Sequence, residues 1–90
     1  MLKFETTTKF DKDFKRIKMR GLDISKMKIV VDLLLNEQPL PEKYHDHVLV
    51  GNYEGYRECH IQPDWLLIYQ IDGENLILTA TRTGSHSDLF

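Results

Sequence analysis

Residues that can move protons stand at several places where a small sheet would begin or end its strands. His47 starts one predicted strand, His60 lies near the end of another, Asp64 is in the turn that follows it, Arg82 ends the last strand and His86 is on the tail. The ends of antiparallel strands can meet at one edge of a sheet. Because the pKa of imidazole lies near neutral pH, this set predicts an acid–base site.

Cleavage of RNA by its own 2′-hydroxyl needs these groups. One histidine would take the proton of the 2′-hydroxyl and another would protonate the leaving 5′-oxygen, while Arg82 would hold the charge on the phosphorus oxygens. No spacing motif proves this chemistry. The residues alone leave open that His60 and Asp64 are ordinary polar residues of a hairpin.

Two other kinds of site are less consistent with the sequence. His45-Asp46-His47 has a known zinc-ligand spacing, but the four histidines are scattered over three elements and structural zinc needs four convergent ligands. Cys59 and His60 are neighbours in a strand, so they point to opposite faces and cannot form a nucleophile pair. We therefore expect no metal ion and no other cofactor.

Alternation along residues 56–62 places the site on a strand. The polar face would carry Tyr56, Glu58, His60 and Gln62, and the core-facing side would carry Arg57, Cys59 and Ile61. Pro63-Asp64 predicts a turn, because proline fixes φ and aspartate bonds back to the backbone. A more apolar strand follows from Trp65 to Ile71.

The N-terminal part predicts a strand and two helices. Leu2 to Thr6 alternates, and Thr8 is a candidate N-cap for a helix that Gly21 would end. Asp23 can cap a second helix, which Pro39 and Pro41 would stop. The expected apolar stripes of the two helices are Phe10, Phe14, Ile17 and Ile24, Met27, Val31, Leu34.

The remaining elements complete an α+β fold. We expect a loop over Gln38–Asp46, a brief strand over His47–Val50, a hairpin at Asp72-Gly73, a last strand over Leu76–Arg82 and a tail released by Gly84. The predicted architecture is a single domain, residues 1–90. Its N-terminal strand and two-helix hairpin pack on a twisted antiparallel sheet of three to four further strands. The other sheet face would stay open, with Glu58 and His60 pointing into it.

Composition narrows the function classes. The 90 residues are 41% hydrophobic and carry a net charge of −2, and no apolar run suits a membrane span or a signal peptide. One cysteine fits a reducing cytoplasm. Residues 1–30 hold nine Lys/Arg against four acids, whereas residues 31–90 hold three against ten. A basic helical segment of this kind could follow a phosphate backbone or an acidic partner, or simply be solvated.

A larger set of residues resembles the YafQ branch of the RelE-type bacterial toxins, over nearly the whole chain. The matching positions are Asp46-His47, Gly55-Tyr56-Arg57, His60, Pro63-Asp64-Trp65, Ile68-Tyr69, Arg82-Thr83-Gly84, His86 and Leu89-Phe90. The resemblance implies a type II toxin, an endoribonuclease that cleaves messenger RNA in the A site of the 70S ribosome and is inhibited by a cognate antitoxin. It implies a bacterial cytoplasmic protein with no membrane contact, monomeric when free and in a higher-order complex with its antitoxin.

The resemblance also implies site residues. The family's catalytic positions match His47, His60, Asp64 and His86, and its phosphate-contacting arginine matches Arg82. Its aromatic positions around the substrate match Trp65 and Phe90, although Trp65 could equally be a packing residue. We expect His86 to be the general acid, His60 or His47 the general base, and Asp64 to orient an imidazole. A net charge of −2 is low for a protein that must bind among ribosomal RNA.

Two functions from other classes stay open. One is the ParE-like branch of the same fold, which poisons DNA gyrase by binding and needs no acid–base residues; the histidine positions argue against it. The other is a non-catalytic module that only binds an antitoxin. Growth arrest without RNA cleavage would favour the first, and the absence of both effects would favour the second.

Overall fold

In the sequence, two helices lie between the first strand and the other strands of the sheet. The computed structural model describes residues 1–90. The helices are α1 (Thr8–Met19), α2 (Ile24–Leu35) and a short C-terminal α3 (His86–Leu89), with single 3₁₀ turns at Glu42–Tyr44 and Gly51–Tyr53. The strands are β1 (Lys3–Thr6), β2 (His47–Val48), β3 (Arg57–Gln62), β4 (Trp65–Asp72) and β5 (Ile77–Gly84).

The five strands form one mixed sheet in the order β1-β5-β4-β3-β2. The chain from β2 to β5 runs antiparallel, which confirms the predicted meander, and β1 pairs with β5 in parallel. A parallel pair needs a long crossover connection, and the two helices are part of it. The α+β architecture predicted from the sequence is therefore confirmed, with β1 as a parallel edge strand.

The helix boundaries follow the predicted capping residues with one correction. Thr7, not Thr8, caps α1, because its hydroxyl accepts the N–H of Phe10. Gly21, at φ +80°, follows the last turn of α1 as the left-handed residue that glycine tolerates. Asp23 caps α2 by accepting the N–H of Ser25, as predicted.

One hydrophobic core lies between the helices and the inner face of the sheet. Phe10 and Ile17 of α1 are buried there, while Phe14 is only half-buried. The predicted apolar stripe of α1 therefore faces the core, with Phe14 as its least buried residue. Met27, Val30 and Leu34 are the buried residues of α2. The strands contribute Cys59, Ile61, Trp65, Leu67, Tyr69, Leu78 and Ala80.

The opposite sheet face is not open, contrary to the expectation. Leu66 and Ile68 are fully buried on that face beneath Leu89 of α3, with Leu49, Tyr53 and Tyr56 packed around them. Apolar residues at alternate positions of β4 therefore have cover on both faces. The strand predicted over His47–Val50 is only two residues long, and the Gly51–Tyr53 turn follows it. No helix is long and apolar enough to cross a membrane.

Candidate active site

Four imidazoles lie together at the β2 edge of the sheet, with His60 in the middle. The ring centroid of His60 is 5.6 Å from that of His45, 6.3 Å from that of His47 and 5.8 Å from that of His86. The four come from the loop before β2, from β2, from β3 and from α3. The structure thus brings together all three histidines that the sequence predicted for the site and adds His45.

A buried carboxylate lies beneath two of these rings. Glu58 is 5% exposed, and its Oε1 is 3.5 Å from the Nε2 atoms of both His47 and His60. Strand alternation places Glu58 on the same face as His60, and the β2–β3 pairing sets His47 directly opposite Glu58. A negative charge at this distance can balance the positive charge that an imidazole acquires when it takes up a proton.

The position of His47 is fixed from the other side. Its Nδ1 lies 2.7 Å from the carbonyl oxygen of His45, and because a carbonyl only accepts, Nδ1 must carry the hydrogen. Asp46, between them, accepts from Arg57 Nη2 at 2.9 Å and from the Tyr69 hydroxyl. These hydrogen bonds hold the segment from His45 to His47 against β3 and β4.

The carboxylate of Asp64 contacts His86; the sequence predicted that Asp64 would orient an imidazole without indicating which one. One oxygen of Asp64 accepts the backbone N–H of His86 at 3.0 Å and lies 2.8 Å from Nδ1 of the same residue. These two hydrogen bonds hold the pKa of Asp64 below its ordinary value, so the carboxylate stays charged and acts as acceptor. The Nδ1–H therefore donates to Asp64, and Nε2 remains for a substrate.

The tail that carries His86 is an ordered helix rather than a released strand end. Ser85 and Asp88 form a reciprocal capping box, in which each side chain accepts the other's backbone N–H. Arg20, the C-cap residue of α1, donates to both oxygens of Asp88, at 2.6 and 3.0 Å, and holds the pKa of this carboxyl well below its usual range. A single turn is unstable in isolation, so these contacts and the buried Leu89 keep α3 in place.

Arg82 lies on β5 as half of an ion pair. Its Nε and Nη2 donate to the carboxylate of Asp13 at 2.7 and 3.2 Å, and Asp13 is almost completely buried. The backbone N–H of Thr83 donates to the same carboxylate at 3.2 Å. With 19% of its side chain exposed, Arg82 keeps limited access to a phosphate, and Asp13 sets its direction.

The two predicted aromatic positions differ. Phe90 is 64% exposed and meets the ring of Tyr53 edge-on, with 5.7 Å between centroids. Trp65 is 2% exposed, and its Nε1 donates to the Thr83 hydroxyl at 3.0 Å. The expectation that Trp65 contacts RNA is therefore corrected: it faces the helices as a core residue.

Two functional candidates were missed as site residues. Sequence reasoning considered His45 only as a zinc ligand, since nothing local showed that His45 adopts a left-handed backbone (φ +48°) that turns the chain at this point. The side of Glu58 was predicted correctly, but its burial and its place between two imidazoles depend on strand pairing.

Cys59 is not placed for thiol chemistry. Cys59 is fully buried, and burial raises the pKa of its thiol to about 12. No group of three or more His, Cys, Asp or Glu side chains is arranged to hold a metal ion.

Known proteins are similar to this chain in sequence and in fold. The family described as bacterial toxin of type II toxin-antitoxin system, YafQ, matches residues 2–90. The mRNA interferase toxin YafQ of Escherichia coli K12 is 41% identical over 87 residues, which cover 96% of this chain and 92% of that protein. A metal-bound toxin from Helicobacter pylori is 49% identical with a TM-score of 0.94, and both chains are fully covered.

One of the similar solved structures is a toxin–antitoxin complex. The structure of the Escherichia coli DinJ-YafQ complex contains a chain 40% identical to this one, with a TM-score of 0.91, over 100% of this chain and 99% of that one. The family match and these relatives each span nearly all of the sequence. The chain belongs to the YafQ family of bacterial toxins of type II toxin–antitoxin systems.

Proposed function

We propose that this toxin is an mRNA interferase, an endoribonuclease that cleaves messenger RNA by attack of the RNA's own 2′-hydroxyl. The observation that carries the proposal is the pair His60 and His86. Their rings are 5.8 Å apart and come from separate elements, and each is held by its own carboxylate neighbour. Two imidazoles placed in this way can act on the attacking and the leaving oxygen of one phosphodiester.

The general base is His60 or His47. Either ring would take the proton of the 2′-hydroxyl, and Glu58 would balance the resulting positive charge from 3.5 Å. The side chain of His60 is the less exposed of the two, and its ring lies 5.8 Å from that of His86. These two facts favour His60.

The general acid is His86. Asp64 fixes its Nδ1–H, so that a protonated ring presents Nε2–H to the leaving 5′-oxygen. Arg82 would stabilise negative charge on the phosphorus oxygens, and the exposed Phe90 would stack on a base. We assign no step to a metal ion, because the chain's own side chains supply both proton transfers.

The setting of the reaction is part of the proposal. The DinJ-YafQ complex supports a cognate antitoxin as the partner that inhibits this toxin. Resemblance to the family supports cleavage in the ribosomal A site, in the bacterial cytoplasm, by a toxin that is monomeric until its antitoxin binds.

Product ends test the mechanism. Induced expression followed by mapping of messenger RNA ends should yield a 2′,3′-cyclic phosphate and a 5′-hydroxyl. A 5′-phosphate would show that water attacks instead, and the mechanism would be wrong. Growth arrest without cleavage would favour a gyrase-binding toxin, and loss of both effects would favour a non-catalytic antitoxin-binding module.

A further inference from the structure

A groove of about 810 Å³ opens beside His60. It lies between the first half of α2, the turn Glu42–Tyr44 and the end of β3. His45 and His60 form part of its wall, so the groove is continuous with the imidazole cluster. Its volume falls within the roughly 300–1,000 Å³ of ordinary ligand sites.

The wall formed by β3 is an unpaired strand edge. β2 pairs only with Arg57 and Glu58, so residues 60–62 have no strand beyond them. The pairing register with β4 also shifts between His60 and Gln62. The half-buried side chain of Gln62 lines the groove, and its amide makes no hydrogen bond within the chain. Its donor and acceptor are therefore free for a ligand.

The charges in the groove have one sign. Lys26 and Lys43 line it from opposite sides, neither forms an ion pair, and no carboxylate is among the lining residues. The Nζ of Lys43 lies 5.1 Å from the centre of the Tyr44 ring. In a chain of net charge −2, two ammonium groups that form no ion pair and lie beside the imidazole cluster favour a polyanion.

We propose that this groove binds the single-stranded RNA segment next to the scissile phosphate. Lys26 and Lys43 contact its phosphates, and the Gln62 amide bonds to a base edge, since unpaired RNA exposes both. The inference rests on the proposed function, because it takes the cleaved strand to pass His60. It makes Gln62 the residue through which this toxin distinguishes bases beside the cleavage point.

Binding of an uncleavable RNA tests the groove. A fluorescent single-stranded oligonucleotide with 2′-O-methyl groups is titrated by anisotropy at several salt concentrations. The parent protein is compared with Lys26→Gln/Lys43→Gln and with the control Lys9→Gln/Lys12→Gln. The control lysines are exposed and unpaired on α1 and cause the same change in net charge.

We expect the groove variant to bind at least about tenfold more weakly than the parent, because each lysine loses a charged phosphate contact. The slope of log affinity against log salt should become shallower by about 1.4, since single strands contribute about 0.7 per contact. The control should bind within about twofold of the parent. Gln62→Leu should change the base preference more than the mean affinity.

Three results would overturn the proposal: no measurable binding by the parent, equal losses in the groove and control variants, or loss of antitoxin affinity with RNA affinity intact. The last would make the groove a protein-docking surface. A separate result would refute the proposed catalysis and leave the groove proposal standing. In that case His60→Ala or His86→Ala would cleave RNA at the full rate, and Lys26→Gln/Lys43→Gln would still weaken RNA binding.

Discussion

The ion pair between Asp13 and Arg82 is the most consequential polar contact between α1 and the sheet. Replacing Asp13 with alanine removes the acceptor of two guanidinium hydrogen bonds and of the Thr83 N–H. Asp13 is 3% exposed and Arg82 19% exposed. The variant would therefore leave a largely buried cation and a buried N–H without their partner.

The expected loss of unfolding free energy is about 2–4 kcal/mol. Breaking a fully buried pair costs about 3–5 kcal/mol, and the partial exposure of Arg82 lowers this because water can solvate the freed guanidinium. The unsatisfied Thr83 N–H adds to the loss by about 1–3 kcal/mol, although the two costs overlap. A domain of this size has roughly 5–13 kcal/mol in total, so Asp13→Ala would be marginally stable.

Urea denaturation followed by circular dichroism measures this loss. The midpoint should fall by about 1 M or more with an unchanged slope. Asp11→Ala is the matched control: Asp11 is on the same helix and exposed, accepting only a hydroxyl bond from Thr6, and its loss should stay below about 1 kcal/mol. A loss below about 1 kcal/mol for Asp13→Ala would refute the assignment of a structural ion pair.

The other predictions concern α3. His86→Ala should slow single-turnover cleavage by roughly 10²–10⁴ and leave the melting temperature within about 2 °C, because 56% of the side chain is exposed; near-parent cleavage would contradict its role as acid. Arg20→Met should lower the melting temperature at pH 7. Arg20 holds the pKa of Asp88 below its ordinary value of 3.8. The stabilisation by this ion pair is therefore complete above pH 3.8 and is lost as the pH falls through the lowered pKa of Asp88. Calorimetry in strong acid should show the melting temperatures of the parent and the variant converging. Gly84→Ala should displace α3 and reduce cleavage, since a Cβ would lie 2.8 Å from an Asp88 oxygen at φ +154°; unchanged cleavage would show that the helix tolerates the shift. Phe90→Leu should weaken RNA binding without unfolding the chain, measured by the same anisotropy titration.

The sequence alone determined most of the elements, because their signals are local; α3 and the two-residue length of β2 were not predicted. Gly21 and Asp23 fix a helix end and a helix start through their own backbone geometry and side-chain bonds, and both were predicted. Alternation along β3 placed Cys59 in the core and His60 on the other face, since the pleat has a period of two. Family resemblance then pointed to His47, His60, Asp64 and His86 before any coordinates.

Tertiary structure decided what covers and supports those residues. Nothing near Trp65 in the sequence shows whether the indole faces RNA or helices, because that depends on which side α1 and α2 pack. The sequence predicts a tail released after Gly84 and carries no local sign of α3, since a single helical turn has little stability of its own. Arg20, 68 residues from Asp88 in the sequence, holds this helix through the Asp88 carboxylate. Glu58 belongs to the site because the pairing of β2 with β3 places His47 opposite it. These are contacts between distant residues, and a local pattern carries no information about which distant residues will meet.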